Sequence, residues 1–326
     1  MPAADCPTKV NPFRVSVVIC TYNPRAEAIS KTLDGMRQQT LPLGEWELII
    51  VDNASEPSVA TRVDLSWHPA GRCVREEQRG LAWARLRGLR EAAGGLVITV
   101  DDDNVLAPDY LTQALRIAQD WPMLGAWGGQ ITPIFEIEPP DWAIAYLHHL
   151  AIRPLTRSRW SSFITDHTMP YGAGLCVRRE VVAGYQETAG RERILACFDR
   201  SANGAGDADD TYICYVAHEL GFGVGVFPEL RLQHLISRER FDPAYFTRIS
   251  RGNSHAGMLL ALRGNPRLRR FRSMAWPALR FMVASVIYRG MKRRICCAQA
   301  RGEFFACLEY RRKFGALPDR PEVHDS

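Results

Sequence analysis

Leu96–Asp103 reads LVITVDDD, an apolar, β-branched run that stops at three consecutive aspartates. A short continuous run of this kind suits a strand buried on both faces. Two earlier stretches repeat the design. Val15–Cys20 (VSVVIC) ends in Thr21-Tyr22-Asn23-Pro24, and Trp46–Val51 (WELIIV) ends in Asp52-Asn53-Ala54-Ser55. Helical patterns lie between them: Ile29, Leu33 and Met36 at i, i+4 and i+7, then an Ala-, Leu- and Arg-rich stretch over Gly80–Ala93 that Gly94-Gly95 closes. This alternation predicts an α/β fold with a Rossmann-like, mostly parallel central sheet flanked by helices. Ligands in such sheets sit at the C-terminal ends of the strands. Every polar cluster just named falls there, so the cleft is expected at these three strand ends.

The pattern is less regular from Trp121 to Gly206. Trp127-Gly128-Gly129, Pro139-Pro140-Asp141-Trp142 and Tyr171-Gly172-Ala173-Gly174 suggest loops, mixed strand pairing and close backbone approach to a ligand. Asp209–Gly221 reads as a helix with Ile213, Val216, Ala217 and Leu220 on one face and Gly221 as its stop. Phe222–Phe227 and Leu230–Leu235 read as two short closing strands, and no internal repeat is visible.

Composition sets outer bounds. With 326 residues, 46% of them hydrophobic and 24% charged, the chain can bury a real core, which excludes disordered, collagen-like and low-complexity classes. The 9 cysteines are odd in number, scattered and without a CxxC pair. That speaks against a disulfide framework or structural zinc, and for a reducing, cytoplasmic setting. The first 15 residues hold Asp5 and three prolines, so no signal peptide is expected.

The net charge of +5 is unevenly spread: Leu235–Ser326 holds 19 Lys and Arg against 7 Asp and Glu, the rest of the chain 22 against 29. A boundary is expected near Leu235–Pro243. Within the basic part, WPALRFMVASVIYRGMKRRICC (Trp276–Cys297) is interrupted by Arg280 and Arg289, too short and too charged to span a bilayer. It reads either as a basic amphipathic helix on an anionic membrane surface or as a helix packed on the catalytic region with a solvated basic face. No nucleic-acid motif or aromatic platform accompanies the arginines, so no nucleic acid is expected as a partner.

Asp101-Asp102-Asp103 carries the strongest chemical signal. Adjacent carboxylates repel, and a divalent ion bridging to a diphosphate would compensate them. A solvated acidic turn capping a helix near Pro108 is the plainer alternative. The placement after a buried strand, level with two other polar strand ends, favours metal.

Taken in order, VSVVICTYN (Val15–Asn23), LIIVDNAS (Leu48–Ser55), GLAWARLRG (Gly80–Gly88), TVDDDNVLAPDYL (Thr99–Leu111), PYGAGLCVRRE (Pro170–Glu180) and GDADDTYICYVAHELGFGVGVFPELRLQHL (Gly206–Leu235) resemble glycosyltransferase family 2. The resemblance covers roughly residues 14–235 and implies the GT-A fold. It implies a tail over 1–13, a catalytic domain over 14–240 and a basic helical C-terminal extension over 241–326. Within that domain the nucleotide-binding half would cover about 14–111 and the acceptor-binding half about 112–240. It further implies inverting transfer from a nucleotide-sugar donor to a saccharide or lipid-linked acceptor with Mn2+ or Mg2+. Such work belongs to cell-surface polysaccharide or glycolipid synthesis, in the cytoplasm or peripherally at the inner face of the plasma membrane.

Residue by residue, the resemblance sets Thr21 and Asn23 in the nucleoside pocket and Asp52 against the base or ribose, although a strand-end Asp also caps turns well. Arg85 matches an arginine near the diphosphate, or belongs to an ordinary exposed basic helix face. Asp101 and Asp103 match the ends of the DXD motif, with Asp103 foremost as direct metal ligand and Asp102 between them in the donor site. His234 matches the third position near the metal, as ligand, diphosphate contact or core histidine. The base falls on Asp209-Asp210: the motif makes Asp210 the base and Asp209 its acceptor-orienting neighbour. Asp209 stands where Glu is commoner, which leaves the order within the pair open. Trp127, Gly128, Gly129 and Gly172–Gly174 would shape the sugar pocket, with Trp127 equally suited to a core.

Other classes fit less well. A sugar-nucleotide pyrophosphorylase would want a Gly-rich, Lys/Arg-bearing loop after the first strand, and TYNPR is not one. A dehydrogenase would want GxGxxG there. A nucleotide-sugar-binding or membrane scaffold on an inactive transferase fold would not need both acidic patches.

Overall fold

The computed structural model describes residues 13–163, 165, 167–191, 209–264 and 275–314. Cys6, Cys197, Gly206, Asp207 and nearly all of the expected tail lie outside the described residues.

Strands β1 (Val15–Thr21), β2 (Trp46–Asp52), β3 (Gly71–Arg75) and β4 (Leu96–Asp101) run parallel in the spatial order β3-β2-β1-β4. Successive strand side chains point to opposite faces. Val15, Val17, Ile19, Leu48, Ile50 and Ile98 pack against α1 (Ala26–Arg37) and α3 (Tyr110–Asp120). Val18, Ile49, Val51 and Val97 pack on the other side against α2 (Leu81–Glu91), α5 (Arg179–Arg191) and α6 (Asp209–Glu219). Both faces are covered, which is why β1, β2 and β4 are apolar nearly throughout rather than alternating, while the edge strand β3 is only half-buried.

Past β4 the pairing turns mixed. β8 (Leu175–Arg178) runs antiparallel to both β4 and β6 (Leu124–Phe135), while β9 (Gly223–Ile236) is parallel to β6. β5 (Asn104–Leu106) and β7 (Arg159–Ser161) both pair antiparallel with β9.

The two expected closing strands are one. β9 continues through Pro228 because its register against β6 shifts between Gly129 and Gln130, and a proline without an N–H is tolerated at such a bulge. Here the Gly128-Gly129 pair finds a packing role. A Cβ on Gly129 would lie 1.9 Å from the Leu230 carbonyl oxygen, a backbone atom that cannot step aside. Trp127 is wholly buried with the Arg178 guanidinium 5.4 Å from its ring centre, so it is a core residue and not a wall of the sugar pocket. Gly129→Ala is expected to destabilise the fold by about 1–3 kcal/mol or more through overpacking. A urea denaturation midpoint unchanged from wild type would refute that account.

After β9 the chain enters α7 (Pro243–Gly264), then α8 (Ala275–Ile287) and α9 (Gly290–Phe314). Met258, Leu259 and Leu262 of α7 meet Ala306 and Cys307 of α9 in a small separate core. Phe246 ties the start of α7 to Phe241, Ile236, Leu150 and the short helix α4 (Asp141–Ile144) through Ala143. Among the described residues no helix is long and apolar enough to cross a membrane.

Candidate active site

Strand register sets the floor of the site. Thr21 lies beside Asp52 on β2, and Cys20 beside Asp101 on β4. The three polar strand ends are therefore at one level, with β1 in the middle. The chain passes from β1 to β2 and β3 on one side and to β4 on the other, so strand order reverses here, the place where sheets of this kind bind their ligands.

At the end of β4 the aspartates divide their contacts. Asp101 faces the Arg85 guanidinium at 3.4 Å and is about a third exposed. Asp102 accepts a hydrogen bond from the Thr21 hydroxyl, and its carbonyl accepts one from Thr32. Burial and repulsion from Asp103, only partly offset by Thr21, push the Asp102 carboxyl up to about 7. Asp103 lies deeper, with His234 Nε2 at 3.4 Å and Arg240 at 3.0 Å from one carboxylate oxygen. Burial would raise its carboxyl, but His234 and Arg240 hold it below the ordinary range. β5 explains how His234 arrives: Asn104, next to Asp103, pairs directly with His234 on β9. The other imidazole nitrogen lies 3.0 Å from the Leu150 carbonyl, which fixes the ring.

The second acidic patch opens α6, where carboxylates also suit the positive end of the helix dipole. Asp209 and Asp210 have different surroundings. Asp209 is fully buried and ion-paired with Arg85. Asp210 is only half-buried; one oxygen accepts the Gly172 N–H at 2.8 Å and the other the Thr211 N–H at 2.6 Å. Arg85 itself is 3% exposed, so it does not belong to a solvated basic face. Its guanidinium joins Asp101 of the first patch to Asp209 of the second, across 124 positions of sequence in the latter pair.

Gly172 closes this arrangement. Its carbonyl accepts the Thr99 hydroxyl at 3.0 Å, its N–H fixes Asp210, and a Cβ there would lie 2.6 Å from the Arg85 guanidinium. Only a glycine lets the loop lie flat on the arginine. Gly174, at φ +71, is required by its left-handed backbone and by the Tyr110 hydroxyl, which a Cβ would meet at 2.4 Å. That places it toward the core rather than the cleft.

Beyond the ends of β1 and β2, Asn23 is exposed in the left-handed region (φ 45), its N–H donating to the Ser55 hydroxyl and its side-chain oxygen accepting the Glu56 N–H. Asp52 is 1% exposed and accepts from Ser55 N–H, the Ser58 hydroxyl, Val59 N–H and Arg75. Burial alone would raise its carboxyl, but the bonds from Ser55, Ser58 and Val59 hold it low. In this structure both side chains hold the loop that follows β2. The turn-capping role that the sequence allowed for Asp52 is therefore present in full. The neighbouring Asn53 ties the loop onward, its amide donating to the carbonyls of Glu76 and Gln78 and its oxygen accepting the Gly80 N–H at the start of α2. Through this side chain the end of β2 sets the entry of the helix that carries Arg85.

Arg240 was not singled out by the sequence. It sits 137 positions from Asp103, in a short helical turn after β9, with nothing local to mark it among many arginines.

Among the described residues no group of three or more His, Cys, Asp or Glu side chains is arranged to hold a metal ion. The donor set nevertheless fits a hard divalent cation. It offers the carboxylate oxygens of Asp101 and Asp103 and one imidazole, the hard and borderline donors that such a cation takes.

The family model of glycosyl transferase family 2 matches residues 16–182. The chain belongs to that family. A glucosyl-dolichyl phosphate glucuronosyltransferase of Haloferax volcanii is 27% identical over 188 residues, 55% of this chain and 58% of that protein. The match thus spans little more than half the length of this curated relative. Among solved structures, a mannosyltransferase of Pyrobaculum calidifontis, determined with GDP-mannose and Mn2+, superposes with TM-score 0.51 at 20% identity over 97% of this chain and 81% of its own. The TarS fragment 1–349 of S. aureus gives TM-score 0.50 at 13% identity over 92% of each chain. These likenesses establish the GT-A fold, with the helical C-terminal region as part of the superposed length.

Proposed function

We propose that the chain is an inverting, divalent-metal-dependent glycosyltransferase that moves a sugar from a nucleotide donor to a saccharide or lipid-linked acceptor. One observation carries the reading: Arg85 joins the strand-end aspartates to the Asp209-Asp210 pair, so donor and acceptor chemistry share one cleft. The Haloferax relative, whose name specifies a lipid-phosphate-linked sugar, supports a lipid-linked acceptor. The thiols of Cys20, Cys176 and Cys214 are free and buried, which suits a reducing compartment.

In this reading Asp210 is the general base. The acceptor hydroxyl attacks the anomeric carbon, its proton passes to the Asp210 carboxylate, and the bond from that carbon to the leaving phosphate oxygen breaks. Gly172 and Thr211 hold the carboxylate in one orientation, so little reorganisation accompanies proton transfer. Asp209 acts through position: paired with Arg85, it keeps the guanidinium at the boundary between donor and acceptor. Asp101 and Asp103, with His234 beside the latter, would hold Mn2+ or Mg2+. When bound, that ion neutralises charge on the departing nucleoside diphosphate. Arg240 adds positive charge on the same side.

A panel of UDP-, GDP- and dTDP-sugars, each with Mn2+ or Mg2+, tests the reading. Saturable nucleotide binding with no turnover on any donor and acceptor would move the chain to the inactive-scaffold alternative. Asp103→Ala is expected to weaken Mn2+-dependent donor binding by about ten-fold or more, in line with what loss of groups around metal sites does. An unchanged calorimetric titration of the nucleotide sugar with Mn2+ would contradict the assignment.

A further inference from the structure

Helix α8 has an apolar solvent face. Trp276, Leu279, Met282, Val283, Val286 and Ile287 are all between 40% and 84% exposed, whereas Pro277 and Ala284 are buried. At about 100° per residue the six exposed side chains span an arc of about 140°, with the buried pair on the far side. No charged residue falls inside that arc. Arg280 lies outside it and is ion-paired with Glu303 of α9. Exposed apolar area gathered on one helix marks an interaction surface rather than ordinary surface scatter.

Charge indicates what covers it. Arg289, Lys292, Arg293 and Arg294 are all exposed immediately beyond the C-terminal end of α8. Lys292 keeps its ammonium 4.5 Å from the Tyr288 ring centre. An apolar face beside a cluster of cations matches an interface that is greasy inside and negative at its border. At 13 residues the helix is too short to span a bilayer, but it has the length and character to lie in the plane of one.

We propose that α8 is a membrane-docking helix, its six apolar side chains inserted at the surface of an anionic bilayer and Arg289, Lys292, Arg293 and Arg294 on the headgroups. The site is distinct from the cleft but linked to it. α9 packs on α7, and α7 follows the turn that carries Arg240 to Asp103. Docking would hold the cleft at a fixed distance from the lipid surface.

Vesicle flotation of the full chain tests the proposal. Wild type is expected to float with phosphatidylcholine/phosphatidylglycerol vesicles and to lose at least about ten-fold in binding on pure phosphatidylcholine or in high salt. Val286→Glu with Ile287→Glu changes only solvent-facing positions, so circular dichroism and donor binding should match wild type while flotation drops by a similar factor. Lys292→Glu with Arg293→Glu should lose the preference for anionic vesicles. Wild type that ignores anionic vesicles, or a Val286/Ile287 double variant that floats as well as wild type, would overturn it. So would a wild-type dimer in light scattering that the Val286/Ile287 variant splits, since the face would then be covered by a second copy of the chain. Donor turnover intact in a variant that no longer floats separates this test from the transfer reading.

Discussion

Asp210→Asn is expected to lower kcat by about 10³-fold, within the range for loss of a general base, while donor affinity stays within a few-fold. The asparagine keeps a single acceptor oxygen, so it can hold the Gly172 or the Thr211 N–H but not both; the buried Tyr212, Ile213 and Val216 should still keep the helix start in place. The asparagine can no longer take a proton. The missing interaction belongs to the transition state, so kcat and kcat/KM should fall together while KM for the donor hardly moves. Steady-state kinetics beside calorimetric donor binding make the comparison. Asp209→Asn is the internal control. If that change removes transfer chemistry in a folded enzyme while Asp210→Asn leaves it, the roles within the pair are reversed.

Arg85→Met should have the largest effect on stability, about 3–5 kcal/mol, because it strands a buried carboxylate without its cation. Asp209 is fully buried and Arg85 nearly so, and solvent cannot replace either partner. The same substitution should also abolish transfer, since Asp101 and the Gly172 loop lean on the same guanidinium. Stability and chemistry can be separated. Arg85→Met combined with Asp209→Leu removes both charges, so it should regain much of the lost stability and none of the activity. Guanidinium denaturation of the two single variants and the double variant gives the coupling directly. A strictly additive cycle would mean that the pair contributes no interaction of its own.

The extent to which this protein could be read in advance follows from the range of the forces involved. The strands ending at Thr21, Asp52 and Asp101 were legible to within a residue or two, because burial on both sheet faces demands continuous apolar runs. The Leu81–Glu91 helix was equally plain. The single long β9 was not, since its two halves are joined by a bulge that depends on how Gly129 meets Leu230, a contact between distant segments. Trp127 illustrates the same limit: an aromatic beside glycines suits a sugar pocket or a core, and only its neighbours decide.

The chain order alone determined the fold class, the common level of the polar strand ends and the two acidic patches, because periodicity and strand-end position are local properties. That Asp209 is buried while Asp210 is half-buried, and that Arg85 is buried between the patches, were decided by tertiary structure. So were the capture of Asp103 by Arg240 and the solvent-facing apolar side of α8. Charge pairing and burial depend on what lies a few ångströms away in space, and here those neighbours are as many as 137 residues away along the chain.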